Sequence, residues 1–173
     1  MEIRVLVDPV LRKKAGKVKA FDEELRRLVA RMFRVMREGG ETEGVGLAAP
    51  QIGVSLRVFV MDYGGVSRAM INPVCQAASG ELVEGEEGCL SVPGVYGPVL
   101  RPSWVVVKYM DVSGRQHVER FEDFLARVVC HEMDHLDGVL FIDKIVDWSR
   151  VDVKPFAMKY PAVVRLLEEK GVL

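Results

Sequence analysis

Two histidines spaced by one helical turn are the residues of this chain that best fit catalytic chemistry. The stretch CHEMDHLDG, residues 130 to 138, places His131 and His135 four positions apart, with Glu132 directly after the first. On a helix, residues four apart lie on one face, so both imidazoles can be directed at one metal ion. Glu132 flanks that face, where a carboxylate can take a proton from water activated by the metal. The alternative is a polar surface helix, but the apolar residues of this helix favour the metal site.

A metal held by two histidines needs a third protein ligand to form a catalytic site. The sequence after His135 contains no further histidine that could serve. Upstream, the segment EGEEGCLSVPG, residues 84 to 94, offers Cys89 beside a glycine and just before a strongly β-type run. A thiolate is a good ligand for borderline and soft divalent metals, so Cys89 is the candidate for the third position.

Three separated segments of the chain resemble the sequence motifs of the peptide deformylases. They are GVGLAAPQ (44–51), EGCLS (87–91) and HEMDH (131–135), in that order. Taken alone, GVGLAAPQ would be interpreted as an ordinary glycine-rich turn that leads into a strand. The resemblance extends over most of the chain and becomes less diagnostic after about Lys144. Three ordered matches occur together by chance far less often than any one of them.

The resemblance implies a metal-dependent hydrolase that removes the N-formyl group from the initiator methionine of new bacterial or organellar polypeptides, releasing formate. It implies one divalent metal, ferrous iron in the cell, held by Cys89, His131 and His135. Zinc, nickel or cobalt would also suit one thiolate and two imidazoles. The partners implied are N-formylmethionyl nascent peptides and the exit region of the ribosome.

The same resemblance assigns the catalytic groups. The glutamate of the family corresponds to Glu132, and the glutamine of its first motif corresponds to Gln51. Water activated by the metal would attack the formyl carbon while Glu132 takes the proton and delivers it to the departing amine. The side-chain amide of Gln51 and the backbone N–H of Leu90 are expected to donate hydrogen bonds to the oxyanion.

A methionine substrate needs an apolar pocket, and we predict that Val45, Phe124 and Val128 line it. The backbone at Val45 and Gly46 is expected to pair with the extended peptide like an added strand, since small residues allow close approach.

Arg127 shares the helix face of His131 and has two alternative roles, because a plain apolar pocket would not predict an arginine there. Its guanidinium would reach water or a substrate carbonyl at the rim of the pocket, or it would form an ion pair with an acid such as Glu87. Tyr96 and Arg101 are weaker candidates for peptide contact, for which structural roles are favoured.

The elements that must position these residues follow from apolar periodicity and turn signals. Residues 21 to 40 form the clearest amphipathic helix, with Asp22 as N-cap and two glycines at its end. A second helix should run from near Asp123 to about Asp137 and carry both histidines, and a third from Pro161 to Gly171.

Short β-type runs separated by turn signals occupy the middle of the chain, at 56–62, 68–72, 80–85, 103–111 and 115–121. The last two, joined at DVSGR, should form a hairpin. We therefore predict a single α+β catalytic domain over residues 1–173, in which antiparallel β-sheets pack around a central metal-binding helix.

Bulk composition argues against several other classes of protein. Lys and Arg number 24 against 25 Asp and Glu, a formal net charge of −1, so bulk charge predicts no nucleic-acid partner. Because no apolar run could cross a membrane and the charged N-terminus is a poor signal peptide, we expect no membrane partner and a cytoplasmic location.

The three cysteines then indicate no disulfide framework. Cys130 is expected to face the core, and Cys75 to be a small buried hydrophobic residue.

Two rival functions would use the same helix. A general metallopeptidase would cut internal amides, but it would need a long open cleft and usually a different third ligand. A deformylase-like protein that only binds metal or the ribosome is the other rival, and the presence of both Glu132 and Gln51 argues against it.

Overall fold

The computed structural model describes residues 2–173, which form antiparallel sheets and three α-helices, and the predicted α+β class is confirmed. The helices and strands run in the order α1 (Glu23–Glu38), β1 (Gly46–Ala48), β2 (Val58–Tyr63), β3 (Val66–Ala78), β4 (Leu82–Cys89), β5 (Val92–Pro102), β6 (Trp104–Met110), β7 (Gln116–Glu122), α2 (Asp123–Leu136), β8 (Asp152–Val153) and α3 (Pro161–Glu169).

Two antiparallel sheets form the framework. The larger sheet has the strand order β1-β2-β3-β6-β7, and the smaller has the order β4-β5-β8. The predicted hairpin is present as β6 and β7, with Met110 opposite Gln116 and the turn closed by a 2.9 Å bond from Asp111 N to Arg115 O. Since β1 is an edge strand of the larger sheet, one side of its backbone is open to other partners.

The first helix, α1, covers one face of the larger sheet. The Asp22 side chain accepts a 3.0 Å hydrogen bond from Leu25 N, as predicted for the N-cap, and the helix ends at Glu38 just before Gly39. Its apolar stripe buries Val29 and Met32 in a cluster that includes residues of β1 and β2. The helix thereby supports β1, the strand that carries the first of the three motifs.

The second helix, α2, is the central one. It packs against β1, β2, β6 and β7 of the larger sheet and against β5 of the smaller sheet. It starts directly after β7, where Asp123 N donates a 2.8 Å hydrogen bond to Ser103 O. Because both sheets contact α2, residues of β1 and β4 can meet the face that carries His131 and His135.

The strand β5 is not among the five predicted β-type runs, although its start falls in the β-type stretch noted after Cys89. Its sequence, VPGVYGPVLRP, is dense in proline and glycine, which are turn signals in a local interpretation. Nevertheless it pairs with β4 over its length and with β8 at Val95 and Tyr96. The predicted run 80–85 likewise extends to Cys89 as β4, because β5 supplies the hydrogen-bonding partner.

The prediction that Cys75 is buried is wrong. Cys75 is exposed, because β3 continues past Ile71, the last residue with a partner on β2, and residues 74–78 pair only with β6. Cys130 is half-buried and packs against the apolar cluster around α2, as expected. Within residues 2–173, no helix combines the length and apolar character needed to cross a membrane.

Candidate active site

The three predicted metal ligands converge on one point between α2 and the end of β4. The thiol of Cys89 and the imidazoles of His131 and His135 each offer one ligand atom, and these atoms lie within 4.8 Å of one another. The sulfur is 3.3 Å from His135 Nε2. Cys89 reaches this point because the β4–β5 register shifts between Gly88 and Cys89, just before the tight turn into β5.

The chemistry of these donors fits a divalent metal ion. His131 Nδ1 lies 2.8 Å from the carboxylate of Glu87, which leaves Nε2 of the same ring for a metal. Burial lowers the pKa of His135 well below its usual value, which favours the neutral imidazole that binds metals. One sulfur and two nitrogens suit iron, zinc, nickel or cobalt, and three protein ligands leave a position for water.

The carboxylate of Glu87 is the centre of a buried ionic network. It accepts two hydrogen bonds of 2.9 Å from Arg101 and one of 2.8 Å from Arg127, besides its contact with His131. Burial alone would raise the pKa of Glu87, but the bonds from His131 and Arg101 outweigh it and lower the pKa to about 2. Arg101 continues the network to Asp134 at 2.7 Å. Glu87 is therefore a permanent anion that fixes the ring of a metal ligand.

For Arg127, the structure shows the ion-pair alternative. Besides its bond to Glu87, the guanidinium donates to the backbone carbonyls of Val83 and Val99 at 2.7 and 2.8 Å. It ties α2 to the β4–β5 hairpin, and these acceptors engage it without a substrate. Arg101 is similarly structural and 3% exposed.

Glu132 lies directly against β1. A methyl group added at Gly46 would come within 2.6 Å of Glu132 Oε1, so only glycine leaves room for the carboxylate at this position. The other oxygen, Oε2, is buried and has no hydrogen-bond partner within the described residues. Burial raises the pKa of Glu132 to about 7. A carboxyl group with such a pKa can both accept and release a proton near neutral pH.

Gln51 and Leu90, the two predicted oxyanion donors, lie next to the metal ligands. Gln51 Oε1 accepts a 2.9 Å hydrogen bond from Ala48 N, which turns Nε2 toward Ser91 Oγ at 3.1 Å and Cys89 Sγ at 3.4 Å. The backbone N–H of Leu90 has no protein acceptor in the part of the chain that the structure describes. Both groups are therefore donors beside the metal ligands.

A cleft of about 260 Å³ borders the metal-ligand residues Cys89 and His131 together with Gln51, Leu90 and Glu132. Its lining includes all five predicted substrate-binding residues, Val45, Gly46, Phe124, Arg127 and Val128. It also includes residues that sequence reasoning missed or weighed only weakly, among them Ile3, Glu43, Tyr96, Phe156 and Tyr160. They come from distant parts of the chain, so no local pattern could have grouped them.

The open edge of β1 borders the cleft. Gly46 lies opposite Met61, and Asp62 N donates to Val45 O at 2.9 Å. In an antiparallel ladder this pattern makes Gly46 and Met61 a pair without mutual hydrogen bonds. The N–H and C=O of Gly46 therefore point away from β2, toward the open side where a peptide could pair.

Comparisons with known proteins identify relatives from one family. The polypeptide deformylase family model matches residues 1–151. A protein named peptide deformylase from Treponema pallidum is 49% identical over 152 residues, which are 88% of this chain and 92% of that protein. The crystal structure of peptide deformylase from Thermotoga maritima matches with a TM-score of 0.80 and 46% identity, over 84% of this chain and 97% of the other. A peptide deformylase from Synechococcus elongatus in complex with actinonin gives a TM-score of 0.80 at 37% identity, over 98% and 85%.

Replacing the sulfur ligand tests the metal site. We expect Cys89→Ala to lose bound metal after dialysis, because two imidazoles alone hold a divalent ion weakly. Elemental analysis of the purified variant measures this loss. Cys75→Ala is the matched control, since Cys75 is exposed and is not among the converging ligand residues. Metal retained at the wild-type level in Cys89→Ala would place the third ligand elsewhere.

Neutralising the centre of the ionic network tests its contribution to stability. Glu87→Gln should lower the free energy of unfolding of the metal-free protein by about 3 to 5 kcal/mol, because it leaves the buried Arg127 without its anion and Arg101 with Asp134 alone. Urea denaturation measures the change. Glu84→Gln on the same strand is the control, since Glu84 pairs with the exposed Arg150 at the surface and should matter little. Similar losses in both variants would contradict the account.

Proposed function

Because the chain belongs to the polypeptide deformylase family, we propose that it hydrolyses the N-formyl group of the N-terminal formylmethionine of new polypeptides and releases formate. The observation that carries this proposal is the convergence of Cys89, His131 and His135 beside Glu132, at the open edge of β1. We further propose that residues 1–173 act as one catalytic domain in the cytoplasm, on nascent peptides near the ribosome exit and without binding nucleic acid.

The proposed cofactor is one divalent metal ion held by Cys89, His131 and His135. When bound there, such an ion supplies the Lewis acidity that makes water nucleophilic near neutral pH. Ferrous iron is the ion we assign in the cell, and zinc, nickel or cobalt would suit the same donors in a purified sample. Glu87 keeps the ring of His131 oriented through the 2.8 Å contact with Nδ1.

Proton transfer is the role of Glu132. Its raised pKa, about 7, lets the carboxylate take a proton from the attacking water and release it to the departing amine. The Oε2 atom of Glu132, which has no hydrogen-bond partner within the described residues, is available for this exchange. Because Gly46 has no side chain, the Glu132 carboxylate can lie close to the open edge of β1 where the peptide would pair. One group can perform both steps, because the proton that Glu132 takes from the attacking water is the proton that it delivers to the departing amine.

Stabilisation of the oxyanion is assigned to Gln51 and Leu90. The bond from Ala48 N fixes the amide orientation of Gln51, so that Nε2 lies toward Cys89 Sγ and Ser91 Oγ. The N–H of Leu90 lies directly after the ligand Cys89 in the chain. Preorganised donors of this kind each contribute a few kcal/mol to the stability of a developing oxyanion.

Substrate placement follows from the cleft. The Gly46 backbone pairs with the extended peptide, and the methionine side chain enters the apolar part of the cleft lined by Val45, Phe124 and Val128. Arg127 also lines the cleft, and its charge is engaged by Glu87.

A two-substrate assay tests the proposed function against the general metallopeptidase. Metal-loaded protein is offered formyl-Met-Ala-Ser in one reaction and unformylated casein in another. We expect formate from the first and no new fragments from the second. Cleavage of casein without release of formate would reject the proposal and support a peptidase.

Removing the proton acceptor separates catalysis from metal binding. Glu132→Gln should keep the metal, because Glu132 is not among the ligands, but kcat should fall by roughly 10² to 10⁴-fold. Formate release and elemental analysis on the same sample measure both quantities. Turnover close to that of the wild type would show that Glu132 is not the acid–base group.

A substitution on β1 tests the acid–base role of Glu132 while keeping its carboxyl group chemically intact. Gly46→Ala should displace the Glu132 carboxylate and lower kcat by at least about 10-fold with metal retained. Gly80→Ala is the matched control, because a methyl group there meets no atom within 4 Å. Unchanged kcat in Gly46→Ala would mean that the carboxylate can act from another position.

A further inference from the structure

The cleft extends beyond the metal ligands and the methionine pocket to a wall built by the C-terminal part of the chain. Phe156 and Tyr160 line the cleft from this wall, and the lining of the same cleft also includes Ile3, Leu90 and Pro93. Both aromatic residues lie after residue 151, where the family match ends. The segment that carries them has no part in the chemistry described above.

This C-terminal wall is a fixed part of the fold. The strand β8 pairs with β5, with Val153 opposite Val95, and Lys154 N donates a 2.8 Å hydrogen bond to Gly94 O. The next turn, Pro155–Lys159, packs closely against β5 at Gly94. A methyl group added to Gly94 would come within 2.8 Å of Ala157 Cβ, so the close contact requires glycine there. Ala157 itself is fully buried, so the turn is anchored from behind.

The opposite wall is the segment between α1 and β1. Glu41 and Gly44 of this segment line the cleft, and Lys159 Nζ of the C-terminal segment lies 3.0 Å from Glu41 Oε1. Both charged side chains are substantially exposed, so this ion pair adds little stability. The pair nevertheless marks the place where the two walls approach each other.

Next to this ion pair, the surface that the C-terminal wall presents to the cleft is largely apolar. Phe156 and Tyr160 are half-buried and line the cleft, and the apolar residues Leu90 and Pro93 line the same cleft. A peptide paired with Gly46 advances about 3.3 Å per residue, so the one or two residues after its methionine are within reach of the remainder of the cleft. Apolar side chains at those positions would lose water-exposed surface against the rings.

We propose that Phe156 and Tyr160 form a subsite for a large apolar side chain carried by the residues that follow the methionine. The C-terminal segment thereby makes the enzyme selective among formylated peptides, in addition to its selection of methionine. This inference rests on the proposed function, since it concerns the same substrate in the same cleft. It assigns specificity to residues that take no part in catalysis.

The test compares two formylated peptides of equal length, formyl-Met-Leu-Leu amide and formyl-Met-Ser-Ser amide, on the metal-loaded full chain. The wild type should have a kcat/KM about 10-fold higher for the leucine peptide. Phe156→Ser should reduce this ratio to about 2 or less, mainly by raising KM for the leucine peptide. Phe156→Leu, which keeps an apolar side chain, should restore most of the preference.

Met158→Ser is the matched control, since Met158 lies in the same turn, is 44% exposed and is not part of the cleft lining. It should leave the ratio at the wild-type value, and thermal unfolding of every variant verifies that it is folded. Formate released equally well from both peptides by the wild type, or a ratio unaffected by Phe156→Ser, would overturn the subsite while leaving the proposed function intact. Formate from neither peptide would reject the proposed function itself.

Discussion

The buried carboxylate of Glu87 is the constraint on which the geometry of the site depends. It accepts hydrogen bonds from Arg101 and Arg127 and contacts His131 at 2.8 Å, so one anion joins β4, β5 and α2. A buried charge is unfavourable unless it is paired and fully hydrogen-bonded, and here it is both. Because Cys89 follows two residues later on the same strand, this network sets the position of the sulfur relative to the imidazoles.

Two buried glutamates of the same site have opposite protonation behaviour, and this difference divides their roles. Cationic and imidazole partners lower the pKa of Glu87 to about 2, whereas Glu132, buried without a bound cation of that kind, has a pKa raised to about 7. Glu87 is therefore suited to hold a charge and Glu132 to exchange a proton. The separation arises from the surroundings of each group rather than from its residue type.

The extent to which the sequence predicts this site depends on how local each feature is. The spacing of His131 and His135 is a property of one helix, so it is visible in the sequence, whereas Cys89 was supported only by its motif and donor chemistry. The importance of Glu87 was not predictable beyond one alternative for Arg127, because Glu84 and Glu86 stand beside it. Only the pairing of β4 with β5 buries Glu87 and leaves Glu84 and Glu86 exposed.

The full strand β5 is not predicted from the sequence, because its prolines and glycines are turn signals unless a neighbouring strand and close packing override them. The C-terminal wall, with Phe156 and Tyr160, has no signal in the local sequence pattern, since it is created by contacts between distant segments.

The central claim is that one sulfur and two imidazoles bind the same ion. X-ray absorption spectroscopy of the zinc-loaded protein measures the ligands of that ion directly. We expect one sulfur at about 2.3 Å together with two imidazole nitrogens at about 2.0 to 2.1 Å. A spectrum without a sulfur ligand, from a sample with stoichiometric zinc, would contradict the account.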